Sequence, residues 1–203
     1  MTIQGTSEWH AERLGKVTAS RIADVMMKPT TAGYQNYKAQ LVCERLTGQP
    51  TEGFTSAAMQ HGTETEPQAR AFYEMTMGVD VAQVGFIDHP TIGMTGASPD
   101  GLVGEDGLVE IKCPQPPKHI AHLDGANIDR KYLLQMQWQM DCTGRAWCDF
   151  VSFSPAFQVD LQMSDERVMR DDKMIGEIRE AVTVFLADVD RTLASLIKRR
   201  RAA

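Results

Sequence analysis

A single α/β domain built around a mixed β-sheet is the fold class that the order of the predicted elements favours. Apolar residues at helical spacing come first, short strand-like segments cluster between residues 79 and 114, and a long amphipathic helix follows near the C-terminus. The 203 residues can bury one sizeable core, and no repeat or linker divides them. We therefore predict one domain with N-terminal helices at residues 1–55, a core at residues 56–155 and a C-terminal helix at residues 165–203.

The N-terminal half contains three helical patterns. They lie at residues 18–27, at residues 34–46 just before Gly48, and at residues 56–78. Pro67 falls inside the third pattern, so that helix either bends there or a new helix begins with Pro67 in its first turn.

The rest of the chain alternates strand-like and helix-like patterns. Prolines at positions 114, 116 and 117 would end the third predicted strand, because proline cannot donate to a ladder. Strands are predicted at residues 79–90, 92–103, 108–114, 145–155 and 157–163, and helices at residues 129–144 and 165–201.

The stretch ASPDGLVGEDGLVEIKCP, residues 97–114, is typical of a β-hairpin but carries several charges. With a three-residue turn, Asp100 comes opposite Glu110 on one face of the hairpin. With a two-residue turn, it comes opposite Ile111 on the other face. Strand alternation places Lys112 on the same face as Glu110.

The carboxylates of Asp100 and Glu110 would repel each other across the hairpin unless something neutralised them. A hard divalent cation does so, since Mg²⁺ takes carboxylate oxygens, water and substrate phosphate as ligands. Lys112 beside such an ion can orient or deprotonate a water molecule and stabilise transition-state charge. A solvated surface hairpin is the structural alternative, but apolar residues on both faces of residues 108–111 indicate a buried strand, where unpaired charges are costly. The constellation therefore indicates phosphodiester hydrolysis.

Five sequence blocks extend the pattern beyond the hairpin. They are EWHAERLGKVTAS, HGTETEPQARAFYEMTMG, TGASPDGL, LVEIKCP and YLLQMQWQM, and the region they mark spans about residues 8–155. With Pro-Asp, nine residues and Glu-x-Lys, the chain resembles the phage lambda exonuclease-like viral recombination exonucleases of the PD-(D/E)xK nuclease superfamily. The resemblance implies a restriction-endonuclease-like fold, with a mixed central β-sheet flanked by helices.

The same resemblance implies an activity and its partners. The expected enzyme is a Mg²⁺-dependent 5′→3′ exonuclease on linear double-stranded DNA, with Mn²⁺ as a substitute ion. It would release 5′-mononucleotides from a 5′-phosphorylated end and leave a 3′ single-stranded tail for strand-annealing recombination. The resemblance also implies a ring-shaped homotrimer and a single-strand-annealing partner protein. The protein would be encoded by a phage or prophage and would act in the cytosol of the bacterial host.

Four of the site residues that the resemblance implies lie in the hairpin. Asp100, Glu110 and the backbone carbonyl of Ile111 match the metal ligands of the family. Lys112 matches its water-activating residue. The choice between one and two metal ions stays open.

Two further catalytic positions are implied in the helical blocks. Glu66 matches an acidic residue that contacts the metal directly or through water, and Glu64 is its competitor. Gln137 matches a glutamine that holds the nucleophilic water or the phosphate. Its neighbours Gln135 and Gln139 compete for that role, and a polar helix face is the structural interpretation of all three.

The resemblance also implies residues that contact the substrate. Arg13, Ser20 and Ser98 match a pocket for the terminal 5′-phosphate, since arginine binds phosphate bidentately and a hydroxyl near a helix start lies beside backbone N–H groups. Met59 falls where the family places an apolar wedge that separates the terminal base pairs. A core methionine is the alternative interpretation.

Composition limits the possible partners and cofactors. The net charge of −6 argues against a surface coated with positive charge, and it fits an enzyme whose carboxylates bind metal and whose DNA contacts are confined to one groove. Four cysteines without a C-x-x-C pair indicate reduced structural thiols, and an iron–sulfur cluster is the disfavoured alternative. No apolar run approaches the roughly 20 residues that cross a bilayer, so no membrane partner is expected.

Two other functions compete with the exonuclease. One is a structure- or sequence-specific endonuclease of the same superfamily, which would cut a covalently closed plasmid. The other is a DNA-end-binding protein without catalysis, which would leave linear duplex intact in the presence of Mg²⁺.

Overall fold

The computed structural model describes residues 2–51 and 57–202, except for the side chains of residues 58, 59 and 200–202. Within this part of the chain, no helix combines the length and the apolar character needed to cross a membrane. Short 3₁₀ turns cover Ala19–Arg21 and Val159–Leu161. The other elements, in chain order, are α1 (Ser7–Arg13), β1 (Val17–Thr18), α2 (Ile22–Val25), α3 (Ala32–Thr47), α4 (Ala57–Met77), β2 (Val81–Ala82), β3 (Ile87–Asp88), β4 (Thr95–Ala97), β5 (Gly101–Val103), β6 (Gly107–Lys112), α5 (Pro116–Leu123), α6 (Arg130–Thr143), β7 (Trp147–Phe153), β8 (Met163–Met169) and α7 (Asp172–Ala202).

The predicted mixed sheet is confirmed as a five-stranded sheet in the order β2-β5-β6-β7-β8. Strands β6 and β7 are parallel, and the other neighbours are antiparallel. Helices α5 and α6 form the long crossover that a parallel pair requires. A smaller sheet, β1-β4-β3, is absent from the prediction. It forms because the segments at residues 79–90 and 92–103 each break into two short strands that pair in different sheets.

Of the two hairpin registers considered, the structure has the one with a three-residue turn, because Val103 pairs with Gly107. Gly101 pairs with Val109, so continuing the ladder by one residue brings Asp100 level with Glu110. This is the register in which the two acidic residues meet.

Helices cover both faces of the five-stranded sheet. Helix α4 packs against the face of β6 that carries Val109 and Ile111. Helix α6 packs against the opposite face, which carries Leu108. Helices α2, α3 and α7 form a further core around Trp138 of α6. Because strand residues alternate between faces, Glu110 is directed toward α6.

Three predicted helices form close to their predicted ends. Helices α3 and α6 stop before Gly48 and Gly144, whose φ angles of 65° and 72° are left-handed and favour glycine. Helix α4 continues without a break through Pro67. The alternative in which a new helix begins at Pro67 is therefore wrong.

The predicted strand at residues 157–163 and the predicted helix from residue 165 are both displaced. Strand β8 occupies the start of that predicted helix, and α7 begins only at Asp172. Although the charged run in β8 suits a helix locally, Arg167 pairs with Asp149 of β7 and donates hydrogen bonds of 2.7 and 2.9 Å to its carboxylate. Pairing at the sheet edge therefore overrides local propensity.

The proline cluster ends β6 as predicted, but it also begins a helix that the sequence pattern does not predict. Pro116 and Pro117 lie in the first turn of α5, where the missing N–H would have no helical partner in any case. His119 attaches this helix to the sheet, with Nδ1 2.9 Å from Ser152 Oγ and Nε2 2.9 Å from the Leu161 carbonyl oxygen.

A buried carboxylate, Asp141 of α6, joins three other parts of the chain. It accepts hydrogen bonds from Arg170 and Arg179, and its Oδ2 lies 3.0 Å from Nε2 of His89. Burial alone would raise the pKa of Asp141, but the hydrogen bonds from Arg179, His89 and Arg170 outweigh it and lower the pKa to about 2.

We expect Asp141 to stabilise the fold above about pH 4 and to lose that contribution as the pH falls toward about 2. Its folded-state pKa lies below the ordinary value of 3.8, so the unfolded chain takes up the proton first and acid favours unfolding. In urea titrations, the difference in unfolding free energy between wild type and Asp141→Asn should shrink by roughly 1–2 kcal/mol over that range. Asp160→Asn, at an exposed position, is the control, and a difference independent of pH would contradict the assignment.

Candidate active site

Glu110 lies at the centre of the site, on the face of β6 that meets α6. Its side chain is fully buried. Gln135 Nε2 donates to its Oε1 at 2.7 Å, Gln139 Nε2 donates to its Oε2 at 2.6 Å, and Lys112 Nζ also contacts Oε1. An ammonium and two amides thus supply the hydrogen bonds that a buried carboxylate requires.

Asp100 precedes β5 and is held beside β6. Its Oδ2 accepts the backbone N–H of Ile111 at 2.7 Å. Burial raises the pKa of Asp100 well above its usual range, and Glu110 and Glu66 raise it further, against the opposing effects of Lys112 and the Ile111 hydrogen bond. The two carboxyl groups therefore interact, as the observed hairpin register requires.

Lys112 provides the positive charge between these carboxylates. Burial lowers the pKa of its ammonium group, but Glu110 and Asp100 outweigh burial and raise the pKa above its ordinary value. Lys112 is therefore protonated at neutral pH in this arrangement, and it can donate hydrogen bonds and stabilise negative charge. Its Nζ also lies 5.0 Å from the centre of the Tyr132 ring.

A cavity of about 680 Å³ opens beside Asp100 and Lys112, and Glu66 of α4 lines its wall. The competing acidic residue, Glu64, instead accepts a hydrogen bond of 2.8 Å from Gln60 on the exposed side of α4. The helix therefore presents Glu66 to the site. Arg70, one turn later, donates to Glu66 Oε1.

The oxygen atoms at this site fit a hard divalent cation. Asp100 and Glu110 offer carboxylates, and the Ile111 carbonyl points to the same side of β6 as the Ile111 N–H, toward Asp100. Proteins bind Mg²⁺ through one or two carboxylates together with water and substrate oxygens. Among the residues that the structure describes, no three acidic, histidine or cysteine side chains converge closely enough to hold a metal ion. Water and phosphate oxygens would have to complete the ligand set.

Gln137, the predicted catalytic glutamine, lies on the wrong face of α6, and that prediction is corrected. Its Nε2 donates to the Met169 carbonyl at 2.9 Å, and its Oε1 accepts the Asp171 N–H at 2.8 Å, so it attaches α6 to the β8–α7 junction. Helix positions two apart differ by about 200°, whereas positions four apart differ by about 40°. Gln135 and Gln139 therefore share the face that meets Glu110, and Gln137 cannot.

The sequence carries part of this signal. Gln135 and Gln139 are four residues apart, so they lie on one face of α6 and can reach the same partner. Met136 and Met140 mark the side of α6 that packs on the sheet, but Gln135 and Gln137 both flank Met136. The choice between them therefore needs the tertiary structure.

Arg13 and Ser20 line a second cavity of about 290 Å³. The guanidinium carbon of Arg13 lies 3.9 Å from the centre of the Trp9 ring. Ser98 reaches this region indirectly, because its Oγ accepts the indole N–H of Trp9 at 2.9 Å. The structure thus brings two of the three predicted phosphate-binding residues to one cavity and connects the third to it through Trp9.

The wedge predicted at Met59 cannot be compared with the structure, because that side chain lies outside the described residues.

The four cysteines lie in separate parts of the fold. Cys43 is exposed, Cys142 and Cys148 belong to different core clusters, and Cys113 is partly buried beside Lys112. Burial, together with Glu66 and Asp100, raises the pKa of the Cys113 thiol to about 12. The thiols of the described residues therefore do not share one ligand set.

The fold and the site define the class of protein. A mixed sheet between helices presents two interacting carboxyl groups and a lysine beside an open cavity, which is the arrangement of a nuclease with the restriction-endonuclease-like fold. The family model described as YqaJ-like viral recombinase domain matches residues 8–146, and the chain belongs to this family.

Solved structures agree with this assignment. The alkaline exonuclease LHK-Exo from Laribacter hongkongensis is 52% identical, the alignment covers 97% of this chain and 98% of that chain, and the TM-score is 0.90. A second structure of LHK-Exo is a complex with dAMP. A phage-related exonuclease from Haemophilus somnus 129PT is 17% identical over 89% of this chain and 96% of that chain, with a TM-score of 0.69, so its similarity concerns the fold alone.

A viral protein is also related in sequence. An uncharacterized protein of Acanthamoeba polyphaga mimivirus is 28% identical over 161 residues, which is 73% of this chain. The chain spans only 28% of the length of that protein.

Proposed function

We propose that this nuclease is a Mg²⁺-dependent 5′→3′ exonuclease that degrades one strand of linear double-stranded DNA. The observation that carries the proposal is the convergence of Asp100, Glu110 and Lys112 beside one cavity, with carboxylates for a hard cation and an ammonium group for phosphate. The recombinase family and the 52% identity to an alkaline exonuclease support exonucleolytic action.

The roles of the residues follow from their chemistry. Asp100, Glu110 and the Ile111 carbonyl would hold Mg²⁺ or Mn²⁺, and Glu66 would reach the ion directly or through water. When bound, the ion supplies Lewis acidity and lowers the pKa of a coordinated water. Lys112 donates hydrogen bonds to phosphate oxygens, where charge develops in the transition state, and so lowers the barrier.

We assign to Gln135 the role predicted for Gln137, which is to hold the attacking water or the phosphate. Gln135 donates to Glu110 Oε1 at 2.7 Å, and its side chain is only partly buried. Gln135 shares this oxygen with Lys112, which lines the cavity, whereas Gln137 is committed to the backbone of two other segments.

Mononucleotides are the products that the cavity favours. Its volume of about 680 Å³ lies within the roughly 300–1,000 Å³ of typical small-ligand sites. The structure of LHK-Exo in complex with dAMP shows that this relative binds a deoxynucleoside monophosphate, which supports release of 5′-mononucleotides here.

Digestion of a linear duplex labelled on one strand tests the function. With Mg²⁺ present, a label at the 5′-phosphate end should be released first as a mononucleotide, and the complementary 3′ tail should persist. A covalently closed plasmid should stay intact, and EDTA should stop digestion. Cleavage of the plasmid would identify an endonuclease instead, and an intact linear duplex would identify a DNA-end-binding protein.

We propose that the second cavity binds the terminal 5′-phosphate. Lys16 and Arg21 also line this cavity, but each is paired with an aspartate. Arg13 presents its guanidinium against Trp9 instead, so it can offer two parallel N–H groups to phosphate oxygens. The hydroxyl of Ser20, which is exposed at this cavity, adds a further donor.

Arg13→Ala should reduce the preference for 5′-phosphorylated over 5′-hydroxyl ends by about 10-fold or more, because a hydrogen bond to a charged group contributes roughly 1.5–3 kcal/mol. Initial digestion rates on the two kinds of end measure the ratio. Arg21→Ala is the matched control, since its guanidinium is already bound to Asp24 and Gln40. Equal ratios for Arg13→Ala and wild type would reject the pocket.

Assembly and partnership are proposed on family membership alone. A viral recombinase that produces 3′ single-stranded tails would deliver them to a single-strand-annealing protein, and a ring of three chains encircling the duplex would keep the enzyme on its substrate. Light scattering should then give about three times the chain mass of 22.6 kDa. A monomeric mass would reject the ring without affecting the nuclease assignment.

A further inference from the structure

The two oxygens of Glu110 are held by different groups. Oε1 receives hydrogen bonds from Gln135 and from Lys112, which lines the cavity, and both of these side chains are partly exposed. Oε2 receives one from Gln139, at 2.6 Å, and within the described residues no other donor reaches it. Gln139 is therefore the one described group that holds Oε2, and with the two donors on Oε1 it fixes the orientation of the Glu110 carboxylate about its last side-chain bond.

Gln139 is fully buried, and half of its amide is unsatisfied. Its Nε2 bonds Glu110, while its Oε1 has no hydrogen-bond partner among the described residues. A carboxylate only accepts hydrogen bonds, so the NH₂ group must face it and the carbonyl oxygen must point elsewhere. A buried acceptor without a partner destabilises the fold. A residue that served only for packing would not carry this destabilising group. Leucine or methionine would fill the same volume without this cost.

The same helix offers a contrast. Gln137 is also buried on α6, but both ends of its amide are satisfied, by the Met169 carbonyl and the Asp171 N–H. Gln137 fulfils a structural requirement in full. Gln139 donates a hydrogen bond to Glu110, but its own carbonyl oxygen stays without a partner among the described residues.

We propose that Gln139 is a positioning residue that orients the Glu110 carboxylate for the divalent cation, and that it acts through Glu110 without touching the substrate. The inference rests on the proposed metal-dependent function of the site. Partners that orient a metal ligand in this way typically alter metal affinity or activity by about 10- to 100-fold when they are removed.

The test compares Gln139→Met with Gln137→Met in the full-length chain. Mn²⁺ alone, which shares the oxygen preference of Mg²⁺, is titrated into each protein and the free ion is followed by its electron paramagnetic resonance signal. Gln139→Met should weaken Mn²⁺ binding and raise the Mg²⁺ concentration for half-maximal digestion, each by about 10- to 100-fold. Gln137→Met should leave both values unchanged while lowering the thermal midpoint. Gln139→Asn, which keeps an amide but is too short to reach Oε2, should match Gln139→Met and replaces it if that variant does not fold.

The outcomes separate this inference from the proposed function. Unchanged Mn²⁺ affinity and Mg²⁺ dependence in the folded Gln139 variants would overturn the positioning role. Digestion by the wild-type protein would still support the proposed function in that case. Equal losses in the Gln139 and Gln137 variants would also overturn it, because the effect would then be one of helix stability. Failure of wild type to bind Mn²⁺ or to digest DNA would reject the proposed function and the inference with it.

Discussion

Replacing Lys112 with alanine is expected to slow digestion of linear duplex DNA by about 10²- to 10³-fold while DNA binding is retained. The ammonium group contacts Glu110 Oε1, and Glu110 and Asp100 together keep it protonated despite its burial. It is therefore a fixed positive charge at the cavity, and it stabilises the phosphate most where negative charge develops in the transition state. Single-turnover rates at saturating enzyme separate this loss of chemistry from any loss of binding.

Lys131→Ala is the matched control for this variant. The Lys131 ammonium lies 4.7 Å from the same Tyr132 ring that Lys112 approaches at 5.0 Å, but its side chain is half exposed and its charge is paired with Asp129. Its removal should alter the rate by less than about threefold, since an exposed ion pair contributes little. Near-normal digestion by Lys112→Ala would remove Lys112 from the mechanism.

Asp100→Asn should lower digestion by more than about 100-fold, because loss of a direct ligand should cost more than loss of a residue that only supports one. In the absence of divalent ions, the same change should stabilise the protein at pH 8 by about 0.5–2 kcal/mol. Burial and the nearby Glu110 raise the pKa of Asp100 in the folded state, so its ionised form disfavours folding once the pH exceeds the ordinary aspartate range. Asparagine is neutral and can still accept the Ile111 N–H.

The pH dependence of unfolding tests the sign of the stability change in Asp100→Asn. Below about pH 4, Asp100 is protonated in the folded and the unfolded chain, so the stabilisation by Asp100→Asn should fade there. Urea unfolding in EDTA at both pH values measures it, and Asp106→Asn, at an exposed position in the turn of the same hairpin, should show no gain at either. Added Mg²⁺ should stabilise wild type but not Asp100→Asn. An unstable or fully active Asp100→Asn protein would contradict the assignment.

Much of the site is predictable because its relations are local. Asp100, Glu110 and Lys112 belong to one hairpin, and the two-residue period of a strand fixes that Glu110 and Lys112 share a face. The sequence leaves only the turn length open, and the observed pairing of Gly101 with Val109 selects the three-residue turn. Glu66 is similar, since helical spacing separates it from Glu64 once one face of α4 is known to meet the sheet.

The errors arise where two distant elements meet. The charged run in β8 has no local reason to be a strand, and it becomes one because β7 offers an unpaired edge and Asp149 binds Arg167. Likewise, the rotation of α6 about its axis depends on which apolar side packs on the sheet. That rotation brings Gln135 and Gln139, and not Gln137, to Glu110.

By itself, the sequence determined the mixed α/β class, the carboxylate–lysine hairpin and the kind of chemistry that such a hairpin supports. The fold class follows from the order of apolar patterns along the chain, and the hairpin follows from the backbone period within one short segment. Only the tertiary structure decided which glutamines reach Glu110, where β8 and α7 divide, and that Arg13 and Ser20 share a cavity to which Trp9 connects Ser98. These contacts join residues far apart in the chain, and they follow from the packing of whole apolar faces, which no local pattern specifies.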